Sequence, residues 1–124
     1  MARRYRVLVV EDDALIGLEI ANAIHDKGMA VVGPAHSVAE AMALAKRDAV
    51  DAAILDIHLG KEHSISVADL LSEQEVPFVF VSGYSPERVP PRHRSHPFIS
   101  KPYSGPELID ALRSVLARRT RSIC

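Results

Sequence analysis

The stretch Tyr5-Arg6-Val7-Leu8-Val9-Val10-Glu11-Asp12-Asp13 sets a short apolar run directly against three consecutive acids. Val7 to Val10 is continuous rather than alternating, the pattern of a strand buried on both faces. A strand covered on both sides calls for a parallel sheet with helices on each face, and the remaining chain supplies them. Leu15 to Lys27 repeats Ile16, Ile20, Ala23 and Ile24 at helical spacing and meets Gly28 as a stop. Ala30 to Val32 predicts a second, weaker strand. Ser37-Val38-Ala39-Glu40 reads as a capping box, in which serine and glutamate satisfy free amides at the start of a helix reaching Asp48. Ala52 to Leu55 predicts a third strand. After a loop over Ile57 to His63, Val67, Leu70 and Leu71 mark a third helix. Pro77 to Val81 predicts a fourth strand, and Phe98-Ile99 a short fifth. Ser104-Gly105-Pro106-Glu107 is a second capping box, opening a last helix with Leu108, Leu112 and Val115 on one face. The expected class is α/β, a doubly wound five-stranded parallel sheet.

Composition narrows the function classes. The chain has 124 residues, 48% apolar and 25% charged, with a net charge of −1. That fits one domain over residues 1–124, with a core over 5–118 and a basic C-terminal tail. No output module fits after Leu116, so none is expected. The near-neutral charge gives no sign of a nucleic-acid binder, and direct DNA binding is not expected. The apolar runs stop at about six residues, far short of the roughly 20 needed to span a membrane. Ala2-Arg3-Arg4 and Val7 to Val10 are too short for a signal peptide, and Glu11-Asp12-Asp13 closes the run at once. Together with the single Cys124, this points to a cytoplasmic protein without disulfides.

In open parallel sheets, sites form outside the carboxyl ends of the strands. Strand one ends in Glu11-Asp12-Asp13, strand three in Asp56, strand four in Ser82-Gly83, and strand five runs into Lys101-Pro102. Crowded carboxylates repel unless a cation is present. A hard divalent ion held by one or two carboxylates and water is the Mg2+ pattern. With a lysine and a hydroxyl opposite, the set suits a phosphoryl group, and a carboxylate can itself accept one.

These motifs closely resemble the receiver domains of two-component response regulators over nearly the whole chain. The matching stretches are Val9 to Asp13, Leu55 to Gly60, Val81-Ser82-Gly83 and Ser100-Lys101-Pro102. The resemblance implies a flavodoxin/CheY-like fold with strand order 2-1-3-4-5. It implies that Asp56 accepts a phosphoryl group from a sensor histidine kinase or histidine phosphotransfer protein. Glu11, Asp12, Asp56 and the His58 backbone carbonyl would hold Mg2+, Ser82 would bond the phosphoryl oxygen, and Lys101 would pair with the acyl phosphate. Phe98 and Tyr84 stand at switch positions, and Lys101-Pro102 is expected to be cis. Output would pass through contact with an unknown downstream protein.

Phe80-Val81-Ser82-Gly83-Tyr84 is similar to a receiver subgroup common in alphaproteobacterial signalling, whose fourth strand ends Phe-x-Thr-Gly-Tyr. Serine here replaces the threonine. Of the eight prolines only Pro34 lies outside Pro77–Pro106. Pro86, Pro90 and Pro91 cannot sit inside a regular helix, so the fourth helix is expected to shrink to one turn over Pro86 to Val89, followed by an extended loop. Phosphorylation would order the loop over Ser85 to His96. His58 and Tyr84 would hinder water and slow hydrolysis of the aspartyl phosphate.

Other residues have plainer readings. Asp13 caps the first helix, Phe78 and Phe80 are core, and His25 and His36 lie on the surface. His93 and His96, three apart, lack cysteine partners for a zinc site. Arg113, Arg118, Arg119 and Arg121 form a solvated helix end, with a docking patch as the minority reading. The alternative function is a Mg2+-dependent phosphohydrolase with an aspartate nucleophile. Such enzymes carry a second acid two residues after the nucleophile, where this chain has His58.

Overall fold

A computed structural model describes residues 4–83 and 89–123, with side chains as far as Arg118. In chain order the elements are β1 (Arg6–Val10), α1 (Ala14–Asp26), β2 (Ala30–Ala35), α2 (Val38–Arg47), β3 (Ala52–Asp56), β4 (His58–Leu59), β5 (Glu62–His63), α3 (Ile65–Glu73), β6 (Phe78–Ser82), β7 (Phe98–Ser100) and α4 (Gly105–Ile123). Five strands form a parallel sheet in the order β2-β1-β3-β6-β7. With the small β4–β5 hairpin set aside, this is the expected 2-1-3-4-5 order.

Alternate residues of each strand feed opposite cores. Leu8, Val10, Ala53, Leu55, Phe78 and Phe80 pack with α2 and α3, whereas Val7, Val9, Ala52, Ile54, Val79 and Val81 pack with α1 and α4. The period of two along a strand produces this division, and it explains why these runs are continuously apolar. Phe78 and Phe80, both fully buried, meet edge to face at 5.1 Å.

The caps form where the sequence places them. Asp13 accepts from the Leu15 and Ile16 amides, and Ser37 Oγ accepts from Glu40 N–H. The Glu40 carboxylate reaches back to the His36 amide at 2.7 Å, one residue before the cap. Ser104 Oγ accepts from Glu107 N–H at the start of α4.

Three local readings need correction. The second strand runs on from Val32 to Ala35 through a cis Gly33-Pro34 bond, because Ala35 pairs again with Val10 after a break in register. The 57–63 loop contains the β4–β5 hairpin, turned through Gly60 at φ +63°. Residues 84–88 lie outside the described residues, and with them Tyr84 and most of the expected Pro86–Val89 turn. From Pro90 onward the chain is not simply extended: Pro91–His93 forms a 3-10 turn, tolerated because proline at a helix start has no amide to satisfy. Val89 and His93 are both buried, so this part of the 85–96 segment is already packed.

Candidate functional site

Strand register brings the separate motifs together. Val10 pairs with Leu55, so Glu11 and Asp56 lie side by side one step further on. Asp56 pairs with Val81, placing Ser82 one step beyond it. Ser82 pairs with Ser100, so Lys101 follows directly, and its amide donates to Ser82 O at 2.8 Å. Four strand ends thus place Glu11, Asp56, Ser82 and Lys101 along one edge of the sheet.

The side chains converge as well. One carboxylate oxygen each of Glu11, Asp12 and Asp56 lie within 4.8 Å of one another. Glu11 is 1% exposed and Asp56 5%, whereas Asp12 is exposed. Lys101 Nζ donates to Asp56 Oδ2 at 2.8 Å and to Glu11 Oε1 at 3.1 Å. The His58 amide donates to the other Asp56 oxygen at 3.1 Å. Glu11 Oε2 also accepts from Asp13 N–H, and Asp12 Oδ2 accepts from Gly60 N–H at 2.9 Å.

The electrostatics follow from this crowding. Burial first, and then the neighbouring Asp56 carboxylate, push Glu11 up to about 7. The Lys101 ammonium is shared between the two carboxylates, at 2.8 Å from Asp56 and 3.1 Å from Glu11. Burial works against the Lys101 ammonium, yet Asp56 and Glu11 outweigh it and raise the lysine. Burial likewise pulls Asp12 up, but hydrogen bonds to Glu11 and the Gly60 amide prevail and lower it. Two buried acids sharing one ammonium are short of positive charge. Their oxygen-only donor set fits a hard divalent cation.

Each expected site residue can be placed except Tyr84. Glu11, Asp12, Asp56 and Lys101 come together as side chains, and Ser82 is buried at the neighbouring strand end. Phe98 is half-buried beside Phe80 in register and packs against the α2–α3 core. Lys101-Pro102 is cis. The resemblance did not point to the Gly60 amide on Asp12, whose visible signal is the glycine after Leu59. Nor did it point to His36, whose Nδ1 lies 2.9 Å from Glu11 O; its signal is its position just past the end of β2. His93, considered only for zinc, instead bonds Asp69.

An open five-stranded parallel sheet whose strand ends gather acids, a hydroxyl and a lysine is the architecture of the receiver class. The family model for the response regulator receiver domain matches residues 7–113, and the chain belongs to that family. It is 30% identical to the transcriptional regulatory protein PdtaR of Mycobacterium tuberculosis over 117 residues, covering 91% of this chain and 57% of that protein. It is 34% identical to the phyllosphere-induced regulator PhyR of Methylorubrum extorquens over 102 residues, covering 78% of this chain and 38% of the relative. The chain therefore spans about half or less of the length of these relatives. Among solved structures, SdrG from Sphingomonas melonis Fr1 matches with a TM-score of 0.79 at 33% identity, covering 94% of this chain and 99% of that one. No helix among the described residues is long and apolar enough to cross a membrane.

Proposed function

We propose that Asp56 is the phosphoryl acceptor of a Mg2+-dependent phosphorelay, and that the chain signals by protein–protein contact. The observation that carries this reading is the Asp56 carboxylate: buried, pinned on one oxygen by Lys101 at 2.8 Å, and beside Glu11 and Asp12. Transfer breaks the P–N bond of a phosphohistidine on a sensor kinase or phosphotransfer protein and forms a P–O bond to an Asp56 oxygen. The freed histidine nitrogen keeps the electron pair of the broken bond. Lys101 steadies the negative charge on the acyl phosphate, and Ser82, one step past the Asp56 register, supplies a hydroxyl to the phosphoryl oxygens.

Glu11, Asp12, Asp56 and the His58 carbonyl would hold Mg2+, which neutralises phosphoryl charge when bound. The chain turns over no external substrate and promotes only its own phosphorylation and dephosphorylation. Phe98 and Tyr84 are the switch positions. DNA and membranes are not partners of this domain in the reading proposed, which places it in the cytoplasm with its output in an unidentified protein. Nothing in the site favours a phosphohydrolase: the residue two beyond Asp56 is His58, whose amide rather than an acid faces the carboxylate.

The test is labelling with acetyl phosphate and binding of beryllofluoride, each with Mg2+. One phosphoryl group per chain is expected, and none in Asp56→Asn. Undiminished labelling of that variant would overturn the assignment.

A further inference from the structure

We propose that Asp69 and His93 form a positioning pair that clamps β6 against α3 and so holds Ser82 in place beside Asp56. The inference rests on the receiver reading above.

Asp69 lies on α3, in the segment that follows Asp56, and His93 lies in the 3-10 turn that follows β6. His93 Nε2 is 2.7 Å from Asp69 Oδ1, although 24 residues separate the two. Arg92 adds two bonds to the same carboxylate, at 2.9 and 3.1 Å. The Arg92 guanidinium first, and then the His93 ring, hold the Asp69 carboxyl down at about 2. Arg92 is well exposed, so its pair contributes little.

His93 is different. Its ring is 3% exposed, and its Nδ1 is buried with no hydrogen-bond partner among the described residues. Among the described residues Asp69 is then the one polar anchor of a buried ring, and as an acceptor it selects the tautomer with the proton on Nε2. Removing the anchor strands a buried polar group.

The ring also reaches β6. It packs edge-on against Phe78 at 5.8 Å and Phe80 at 6.1 Å. Phe80 and Ser82 are two apart on that strand and share a face. At the other end, the Ser64 amide just before α3 bonds Ile57 O, and the Ile57 amide bonds Val81 O. The chain leaving Asp56 and the chain leaving Ser82 are therefore tied twice, once beside the site and once through Asp69–His93. A clamp at the second point keeps the first in register, which preorganises the pocket for a tetrahedral anion.

The test measures beryllofluoride affinity with Mg2+ in Asp69→Ala, His93→Phe, the double variant, Asp69→Asn and Arg92→Ala, with thermal melting to establish folding. Asp69→Ala and His93→Phe should each weaken binding at least three-fold, and the double variant no further, since both remove one bond. Asp69→Asn, which keeps an acceptor, should recover most of the affinity, and Arg92→Ala should match the wild type. Wild-type affinity in both single variants, or additive losses in the double, would reduce the pair to a structural staple and overturn the proposal. So would losses reproduced by Arg92→Ala. If the wild type itself binds no beryllofluoride, the receiver reading falls and the pair's role with it. If it binds and the variants bind equally, only the positioning role falls.

Discussion

Lys101 Nζ donates to Asp56 Oδ2 at 2.8 Å across 45 residues of sequence, joining the last strand of the sheet to its centre. The same ammonium reaches Glu11 at 3.1 Å, so one cation serves two buried carboxylates. Most of the site's expected behaviour follows from that shortage.

Replacing Lys101 with methionine keeps the stem and removes the charge. Glu11 and Asp56 then face each other uncompensated; breaking a fully buried pair costs roughly 3–5 kcal/mol, and the partial exposure of Lys101 lowers that figure here. The loss should be largest at pH 8 and smaller at pH 5.5, where a proton on Glu11 takes over part of the lysine's role. Urea denaturation of Lys101→Met at both pH values measures it, and an equal loss at both would contradict the assignment.

Glu11 supplies a pH dependence of its own. Its folded-state value of about 7 lies above the ordinary 4.5, so folding takes up a proton between those limits. The corresponding stability is fully present below pH 4.5, declines as pH rises through 7, and is constant above. Melting curves without Mg2+ should fall across this window, and Glu11→Gln should flatten them. Because a cation needs the ionised carboxylate, Mg2+ affinity should rise over the same window.

Asp13 caps α1 by accepting from two amides, at 2.9 and 3.0 Å. Asp13→Ala should cost about 1 kcal/mol. A denaturation midpoint that shifts without a change in slope would report this loss, since the surface exposed on unfolding stays the same.

Gly33 tolerates no side chain. Its φ is +99°, and a Cβ there would come within 2.7 Å of the Ala35 nitrogen and 3.0 Å of the Val9 oxygen. Both are backbone atoms of the sheet and cannot move aside. Gly33→Ala should cost about 2 kcal/mol or more, read as a lowered melting temperature. Gly28→Ala is the contrast: its φ is also positive, at +80°, but nothing lies within 4 Å of the added methyl group.

The elements differ in how far their own residues announce them. Val7 to Val10, Ala52 to Leu55 and Phe78 to Val81 declare themselves because strands buried on both faces must be continuously apolar. Ser37, Ser104 and Asp13 declare helix starts because a free amide needs an acceptor within three residues. Both are local demands. The extension of β2 through Gly33-Pro34 goes unannounced, since neither residue favours a strand and both fall at an irregular step between Val32, paired with Leu8, and Ala35, paired with Val10. The β4–β5 hairpin is too short for any periodicity to show.

The sequence by itself determined the alternation of strands and helices, and with it the acids, hydroxyl and lysine at the carboxyl ends of the strands. Chain direction and the period of two settle which residue ends a strand. Tertiary structure alone decided which of these groups touch. The register of four strands brings Lys101 to Asp56 and leaves Glu11 short of charge. The packing of the 3-10 turn on Phe78 and Phe80 brings His93 to Asp69. Distances across 45 and 24 residues depend on how whole layers stack, and no local pattern carries that information.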